Sequence, residues 1–189
     1  MAIALPSSIE EVQGIVRWAN EHRVAIVPSG GRTGLSGGAV AADGELVVSL
    51  ERMNRVLGFD SADRILTVQP GIALEAVHAA AREHGLIYPV DFAARGSCSI
   101  GGNIATNAGG IRVIRYGNTR NWVAGLTLVT GSGDLVQLNR GLVKNSSGYD
   151  LRQLVIGAEG TLGIVVEAML WLTDPPPASN VMLLALPSF

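Results

Sequence analysis

The chain has 189 residues, a formal net charge of −2 and a hydrophobic content of 48%. This length suffices for one compact domain or two small lobes with a core of ordinary size. The weak charge gives no basic field for nucleic acid, and no stretch approaches the roughly 18–20 apolar residues of a membrane span. The single cysteine, Cys98, excludes an internal disulfide and a multi-cysteine metal site. We therefore expect a soluble, cytoplasmic protein that binds no nucleic acid and has no transmembrane segment.

Helical and strand patterns alternate in the first half of the chain. Ser8 and Glu11 have the form of a capping box, and the apolar residues that follow at helical spacing predict a helix over residues 8–22. An apolar run at 24–27 predicts a buried strand that leads directly into a glycine-rich loop ending at residue 38. Further elements predicted in this half are strands at 46–50 and 65–69 and a helix at 73–84.

The second half of the chain predicts a sheet. Residues 122–130 and 135–138 are strand patterns on either side of a Gly-Ser-Gly-Asp turn, which predicts a hairpin. A long strand pattern covers 162–172, three prolines at 175–177 end the domain, and a new apolar run occupies 181–186. Because helices and strands follow one another in irregular order, we expect an α+β fold built of two sheet-based lobes.

A second glycine-rich segment, residues 96–110, contains five glycines and no charged residue. A glycine in ordered structure costs roughly 0.5–1 kcal/mol relative to alanine, so five forfeit about 2.5–5 kcal/mol of a stability that is typically about 5–15 kcal/mol. Glycine pairs recur at 30–31 and 37–38, and residues 157–163 contain three more glycines. Bare amides in several loops indicate one extended polar ligand contacted from many sides. The alternative is that these segments are ordinary surface turns.

Neither of the common phosphate-binding patterns, G-x-G-x-x-G and G-x-x-x-x-G-K-[ST], is present in the chain. This disfavours a Rossmann dinucleotide site and a Walker-type nucleotide site. The first glycine loop leads toward a strand rather than into a helix, so an anion there would be held by a nest of successive backbone amides. Each hydrogen bond to a charged group contributes roughly 1.5–3 kcal/mol, and about three or four would hold a pyrophosphate.

Six segments, in order along the chain, resemble the FAD-binding domain of vanillyl-alcohol-oxidase-type (PCMH-type) flavoproteins. Their motifs include Ile-Gly-Gly-Asn-Ile-Ala-Thr-Asn-Ala-Gly-Gly, which begins at Ile100, and Gly-Ala-Glu-Gly-Thr-Leu-Gly, which begins at Gly157. The resemblance is strongest to the D-2-hydroxyacid dehydrogenases, and residues 145–154 are also similar to that branch. The six segments are residues 28–38, 68–71, 88–91, 100–110, 115–117 and 157–163.

The resemblance implies a flavin-dependent oxidoreductase. Its substrate would be a D-2-hydroxy acid of the D-lactate, D-2-hydroxyglutarate or glycolate type, oxidised by hydride transfer to flavin N5, with the electrons passed to a downstream acceptor. Some relatives attach FAD through a histidine in the first glycine loop, and Arg32 stands at the matching place here, so non-covalent FAD is expected. The alternative is a FAD-binding module without catalytic turnover on its own.

The resemblance also implies which residues bind the cofactor. The first glycine loop would wrap the pyrophosphate, the second segment would bring backbone amides to the flavin and ribityl chain, and the third would complete the site around the nucleotide. No residue of this chain is expected to be catalytic or to bind a metal. The expected cofactor-binding residues are Pro28, Ser29, Gly30, Gly31, Arg32, Thr33, Gly34, Leu35, Ser97, Ser99, Gly101, Gly102, Asn103, Thr106, Asn107, Gly110, Glu159, Gly160, Gly163 and Ile164.

The resemblance further implies a domain division. The FAD-binding domain would cover residues 1–174, with lobes at about 1–72 and 73–174 and the cofactor between them. Residues 175–189 would form a linker and the start of a substrate domain that is missing from this sequence. In the family this second domain binds the hydroxy acid, so we expect catalysis to depend on groups outside the chain.

Overall fold

The chain forms two β-sheets and several helices. The structure, a computed structural model, describes residues 2–177, 182–185 and 187–188. The strands are β1 (Ala2–Ala4), β2 (Ile26–Ser29), β3 (Leu46–Ser49), β4 (Val56–Asp60), β5 (Ile65–Val68), β6 (Val123–Val129), β7 (Leu135–Arg140) and β8 (Ile164–Trp171). The α-helices are α1 (Ile9–His22), α2 (Leu74–Glu83), α3 (Ile100–Ala105), α4 (Val113–Tyr116) and α5 (Arg152–Val155), and short 3-10 helices span Ala93–Gly96 and Thr119–Trp122.

The two sheets differ in strand direction. The first sheet has three parallel strands in the order β1-β3-β2. The second has five antiparallel strands in the order β4-β5-β8-β6-β7, so its middle strand comes from the far end of the described chain. The mixed helix-and-sheet architecture predicted from the sequence is confirmed, and the predicted hairpin is the β6–β7 pair.

The predicted elements are present, with local differences in the strands. Strand β2 begins two residues later than the apolar run and includes Pro28. A proline is tolerated there because β2 is an edge strand, where one unpaired backbone position costs little. Strands β1 and β4 were not predicted. The first has three residues and the second is mostly exposed, so neither carries a strong hydrophobic pattern.

The change from the first sheet to the second occurs between β3 and β4. This is earlier than the lobe boundary expected near residue 72, because β5 pairs with β8 of the second sheet. The assignment of residues 1–174 to one cofactor domain, and of 175–189 to a linker, stays a prediction. The apolar run expected at 181–186 lies partly outside the described residues, and residues 182–185 have no regular structure.

The start of helix α1 follows the capping signal in the sequence. The Ser8 hydroxyl accepts a hydrogen bond from the Glu11 amide at 3.2 Å, which satisfies one of the free N–H groups of the first turn. The Glu11 carboxylate accepts from the Ser7 amide at 2.6 Å, one residue before the cap itself. The predicted helix start is therefore confirmed, with the return bond shifted by one residue.

Helix α1 packs on both sheets. Val12 and Val16 join a cluster that contains Val48 of the first sheet and Val166 of the second. Beside this apolar contact, Gln13 and two other side chains of α1 donate to carbonyls of the β6–β7 turn at 2.6–3.0 Å. The helix therefore fixes the first sheet against the second by apolar burial and by directed hydrogen bonds.

Part of the second glycine-rich segment is a helix. The sequence analysis treated residues 96–110 as a loop, which is wrong for α3. Ile100 and Ile104 lie one turn apart in α3 and are completely buried in the larger core. Burying each isoleucine stabilises the fold by roughly 1.5–3 kcal/mol. This exceeds the cost of about 1 kcal/mol for each of the two helical glycines, so tertiary burial decides the local structure.

Arg152, which the sequence analysis did not single out, connects α5 to the second sheet. Its side chain is only 11% exposed and donates to the carbonyls of Val123 and Ala124 at 2.8 and 2.7 Å. It also forms a two-point contact with Asp150, with both N···O distances at 2.8 Å. These hydrogen bonds hold the pKa of the Asp150 carboxyl below its ordinary value.

We expect Arg152→Met to lower the free energy of unfolding by about 2–3 kcal/mol, because two strand carbonyls lose a charged donor. Arg64→Met is the matched control, since Arg64 pairs with Asp174 at the surface, where an ion pair contributes about 0–1 kcal/mol. Urea unfolding of both variants measures the difference. Equal losses in the two variants would contradict the role of Arg152.

Candidate functional site

Three segments that are distant in sequence line one cleft of about 300 Å³. The volume lies at the lower end of the range for small-molecule sites, about 300–1,000 Å³. The first glycine loop, the region around α3 and the segment before β8 each contribute to its wall. The residues expected to bind a cofactor all line this cleft except Leu35, Ser97, Asn107 and Gly110.

The first glycine loop offers unused backbone donors. In the part of the chain that the structure describes, the N–H groups of residues 32–36 donate to no carbonyl or side chain. These residues are exposed, and Arg32 adopts a left-handed backbone conformation with φ at +56°. Its guanidinium contacts the Ser29 hydroxyl at 3.3 Å. Five successive free amides beside a guanidinium form a donor set that suits an anion.

Glycines 30 and 31 are required by the packing of one loop on the other. A Cβ atom at Gly30 would lie 2.2 Å from the Ser99 Oγ atom, and one at Gly31 would lie 2.1 Å from the Ser97 carbonyl oxygen. Both distances are far below van der Waals contact. At Gly34, by contrast, a Cβ would meet no atom within 4 Å. Glycine is therefore needed at positions 30 and 31 because other parts of the chain pack directly against their backbone.

The second segment uses its own amides internally. The Gly101 amide donates to the Pro70 carbonyl at 2.7 Å, and the Gly102 amide donates to the Ser99 hydroxyl at 3.3 Å. The Asn103 amide donates to the Ser99 carbonyl at 2.9 Å. The expectation that these amides are bare is therefore wrong, because the N-cap residue Ser99 accepts from two of them and the Pro70 carbonyl accepts from the third.

The third segment is fastened to the end of α3. The Gly157 amide donates to the Ile104 carbonyl at 3.0 Å, and the Glu159 amide donates to the Ala105 carbonyl at 2.9 Å. The second bond satisfies the Ala105 carbonyl, which the end of α3 would otherwise leave free, while the Ile104 carbonyl also accepts from the Asn107 amide at 3.1 Å. The two bonds to α3 also bring Glu159, Gly160 and the start of β8 to the wall of the cleft.

Arg120, which the sequence analysis missed, holds this third segment in place. Its guanidinium donates to the Gln153 carbonyl at 3.1 Å and to the Ile156 carbonyl at 2.8 Å. Its backbone amide donates to the Asn107 side chain at 3.0 Å. Asn107 therefore lies behind the cleft wall and supports it. A lone arginine between two turns gives no recognisable signal in the sequence.

The other predicted residues that do not line the cleft have separate explanations. Leu35 is fully exposed. Gly110 has φ at +100°, and a Cβ there would lie 2.3 Å from the Asp91 carbonyl oxygen, so this glycine is needed for close backbone packing. Ser97 contributes the carbonyl oxygen that Gly31 approaches.

The cleft also has lining residues that the motifs do not contain. Most are apolar or small, and residues such as Leu50 and Val155 are brought to the cleft only by the fold. Burial raises the pKa of the Cys98 thiol, which keeps it in the neutral form. The lining residues outside the expected cofactor-binding set are Ser36, Gly38, Ala39, Leu50, Phe92, Ala94, Cys98, Ala105, Ala108, Val155 and Val165.

Comparison with known protein families shows which family the chain belongs to. A family model described as "FAD binding domain" matches residues 1–139. The chain belongs to this FAD-binding domain family. The matched residues include the first glycine loop and all of α3, which form two of the three walls of the cleft.

Curated relatives share this domain over nearly its full length. The D-2-hydroxyglutarate dehydrogenase of Xanthomonas citri pv. viticola is 79% identical over 189 residues, which cover 100% of this chain and 40% of that protein. The mitochondrial D-2-hydroxyglutarate dehydrogenase of Bos taurus is 42% identical over 97% of the chain and 34% of its own length. A D-lactate dehydrogenase of Anaerostipes hadrus is 43% identical over 94% of the chain and 37% of its length. The chain therefore spans about two fifths of these relatives or less.

Solved structures share the fold of the FAD-binding domain. Alkyldihydroxyacetonephosphate synthase superposes with a TM-score of 0.82 at 27% identity, over 93% of this chain and 32% of that one. A variant of Phl p 4, described as a glucose oxidase, superposes with a TM-score of 0.79 at 25% identity, over 93% of this chain and 35% of its own.

We expect Gly31→Ala to lower the stability of the ligand-free protein by about 1–3 kcal/mol, because the methyl group overlaps the backbone of residues 97–98. Gly34→Ala is the matched control in the same loop and should change stability by no more than about 0.5 kcal/mol. Urea unfolding without added ligand measures both. A Gly34→Ala variant as unstable as Gly31→Ala would contradict the packing role.

We expect Arg120→Gln to increase hydrogen exchange of the Gly157 and Glu159 amides about tenfold. The reason is that the preceding carbonyls, of Gln153 and Ile156, lose the guanidinium group that holds this segment in place. Exchange in β5, which Arg120 does not contact, should stay unchanged. Hydrogen exchange followed by NMR measures each amide. Unaltered protection at residues 157 and 159 would show that the third segment is held without Arg120.

Proposed function

We propose that the cleft binds FAD without a covalent bond and that the FAD lies between two lobes of a domain covering residues 1–174. The observation that carries this proposal is the convergence of three glycine-bearing segments on one cleft. Membership in the FAD-binding domain family supports the choice of cofactor. We expect contacts to FAD from the predicted residues that line the cleft, which lie in the first glycine loop, around α3 and before β8.

The residues of the cleft fit the parts of FAD. The free amides of residues 32–36, together with Arg32, provide donors for the pyrophosphate. Apolar groups such as Phe92, Leu50 and Val155 provide a surface for the flavin ring. The described lining residues include no histidine, and the thiol of Cys98 is kept neutral by burial. These features support a dissociable cofactor.

We further propose that the domain serves in the oxidation of a D-2-hydroxy acid. The relatives named D-2-hydroxyglutarate dehydrogenase and D-lactate dehydrogenase support this substrate class. Bound FAD would supply the acceptor for a hydride from the α-carbon of the acid. This chain's residues hold and orient the cofactor, while the groups that bind the carboxylate and accept the hydroxyl proton are assigned to the rest of a longer protein. The electrons would pass to a separate acceptor.

A second candidate function is FAD binding without turnover. It is favoured by one observation, that the described residues lining the cleft include no histidine. The two candidates make the same prediction for FAD binding and differ in whether the bound flavin is reduced by a hydroxy acid. Reduction of the flavin therefore distinguishes them.

The cellular location is proposed to be the cytoplasm, although some eukaryotic relatives carry "mitochondrial" in their names. In the described part of the chain, no helix combines the length and the apolar composition that a membrane span requires.

We expect FAD at about 100 times its dissociation constant to add roughly 2.7 kcal/mol to the stability of the protein. For a chain of this size that is a rise in Tm of about 5–11 °C, measurable by calorimetry. Denaturation should then release all of the FAD through a filter, since no covalent bond forms. Gly31→Ala should show a smaller rise. An unchanged Tm excludes the proposed site, and retained flavin excludes dissociable binding.

We expect the flavin of the full-length protein to bleach anaerobically on addition of D-2-hydroxyglutarate or D-lactate. The L-isomers at the same concentration are the control for stereochemistry. Absorption in the visible flavin bands measures the reduction. A protein that binds FAD but keeps its oxidised spectrum with every D-2-hydroxy acid tested supports binding without turnover and rejects the dehydrogenase proposal.

A further inference from the structure

A second cavity, of about 150 Å³, shares no lining residue with the cleft. Its wall combines His78 and Arg82 of α2, Asp91, Arg95 of the first 3-10 helix, and Arg112. Three guanidinium groups therefore surround one small space. The family match and the proposed function give this cavity no role.

The cavity carries more positive charge than its own carboxylate balances. Asp91 has a side chain that is 8% exposed and faces two cations, Arg95 and Arg112, whose side chains are 52% and 44% exposed. With Arg82 included, three positive charges stand against one negative charge. Like charges around a common space repel one another, and an anion between them removes that repulsion.

The ion pairs within the cavity leave most of the guanidinium donors unused. Arg95 approaches one oxygen of Asp91 at 3.4 Å, and Arg112 approaches the other oxygen at 3.6 Å, each through a single nitrogen. Both distances are long for charge-assisted hydrogen bonds, which are typically about 2.7–2.9 Å. Among the described residues, the Arg82 side chain forms no hydrogen bond or ion pair. Free N–H groups on separate elements therefore border one cavity.

The other polar side chains of the wall do not compete for these donors. His78 directs its Nε2 atom to the Val90 carbonyl at 2.8 Å, so this ring nitrogen is engaged in fixing α2 to the following segment. The ring of Tyr88, which also lines the cavity, belongs to the buried core. His78 and Tyr88 are therefore held by contacts within the fold, whereas the three arginines are exposed.

We propose that this cavity binds a small oxyanion that carries two negative charges. Guanidinium groups recognise both carboxylate and phosphate oxygens through paired N–H donors, so the shared chemistry is a compact dianion, as in inorganic phosphate or malonate. The charge surplus of two matches that ligand, and the volume admits a molecule of this size. The site is distinct from the FAD cleft, since the two share no lining residue, although Asp91 and Arg95 of the cavity are sequence neighbours of Phe92 and Ala94 of the cleft.

The test is a titration of the full-length protein saturated with FAD, so that the donors of the first glycine loop are occupied. Phosphate and malonate are added separately, with sodium chloride keeping the ionic strength constant. The Nε–H resonances of the arginines are followed by NMR. We expect saturable shifts at Arg82, Arg95 and Arg112 and none at Arg52, an exposed arginine away from the cavity.

Two variants distinguish binding in the cavity from nonspecific attraction of anions to surface charge. Arg82→Gln should weaken the dianion at least tenfold, and the matched Arg52→Gln should leave the affinity unchanged. Saturation by phosphate alone assigns a phosphate group as the ligand, and saturation by malonate alone assigns a dicarboxylate. Shifts that grow linearly with both anions, or equal affinities in the two variants, overturn the proposal. The titration is repeated without FAD, so that the result for the dianion does not depend on whether the protein binds FAD.

Discussion

The structure of the cleft depends on the contact between the first glycine loop and the segment that leads into α3. The Ser99 hydroxyl accepts from the Gly31 amide at 3.2 Å and from the Gly102 amide at 3.3 Å, so one oxygen joins the loop to the helix cap. Ser99 is 5% exposed, and the adjacent glycines leave no room for a side chain. Because a buried hydroxyl must keep its partners, this junction fixes the distance between two walls of the cleft.

The three walls contribute different chemistry. The first loop keeps its amides free and presents them with Arg32, while α3 consumes its own amides and presents apolar and hydroxyl groups. The third segment is positioned by α3 carbonyls and by Arg120. Backbone donors and apolar side chains in one cleft suit a cofactor with a charged pyrophosphate and a flat ring system. This difference between the walls follows from secondary structure, since the extended loop leaves its backbone N–H groups free, whereas those of α3 are hydrogen-bonded.

The sequence predicted helices and strands well where a strong hydrophobic pattern was accompanied by a capping or turn signal. The Ser8 cap and the apolar stripe of α1 are examples, as is the β6–β7 hairpin around its glycine turn. The prediction failed for α3, since two adjacent glycines conceal a helix whose stability comes from Ile100 and Ile104 in the core. Strands β1 and β4 carry almost no buried residues and hence no pattern to detect.

The sequence by itself determined which segments contain glycines that a side chain would disturb, and its motifs indicated a flavin nucleotide. Only the tertiary structure decided what each glycine does. Gly30, Gly31 and Gly110 accommodate other parts of the chain, whereas the amides of residues 32–36 stay free for a ligand. The structural roles of Arg120 and Arg152 are also visible only in the tertiary structure. The physical reason is that close contacts and backbone satisfaction depend on residues about 30 to 70 positions away, which no local pattern encodes.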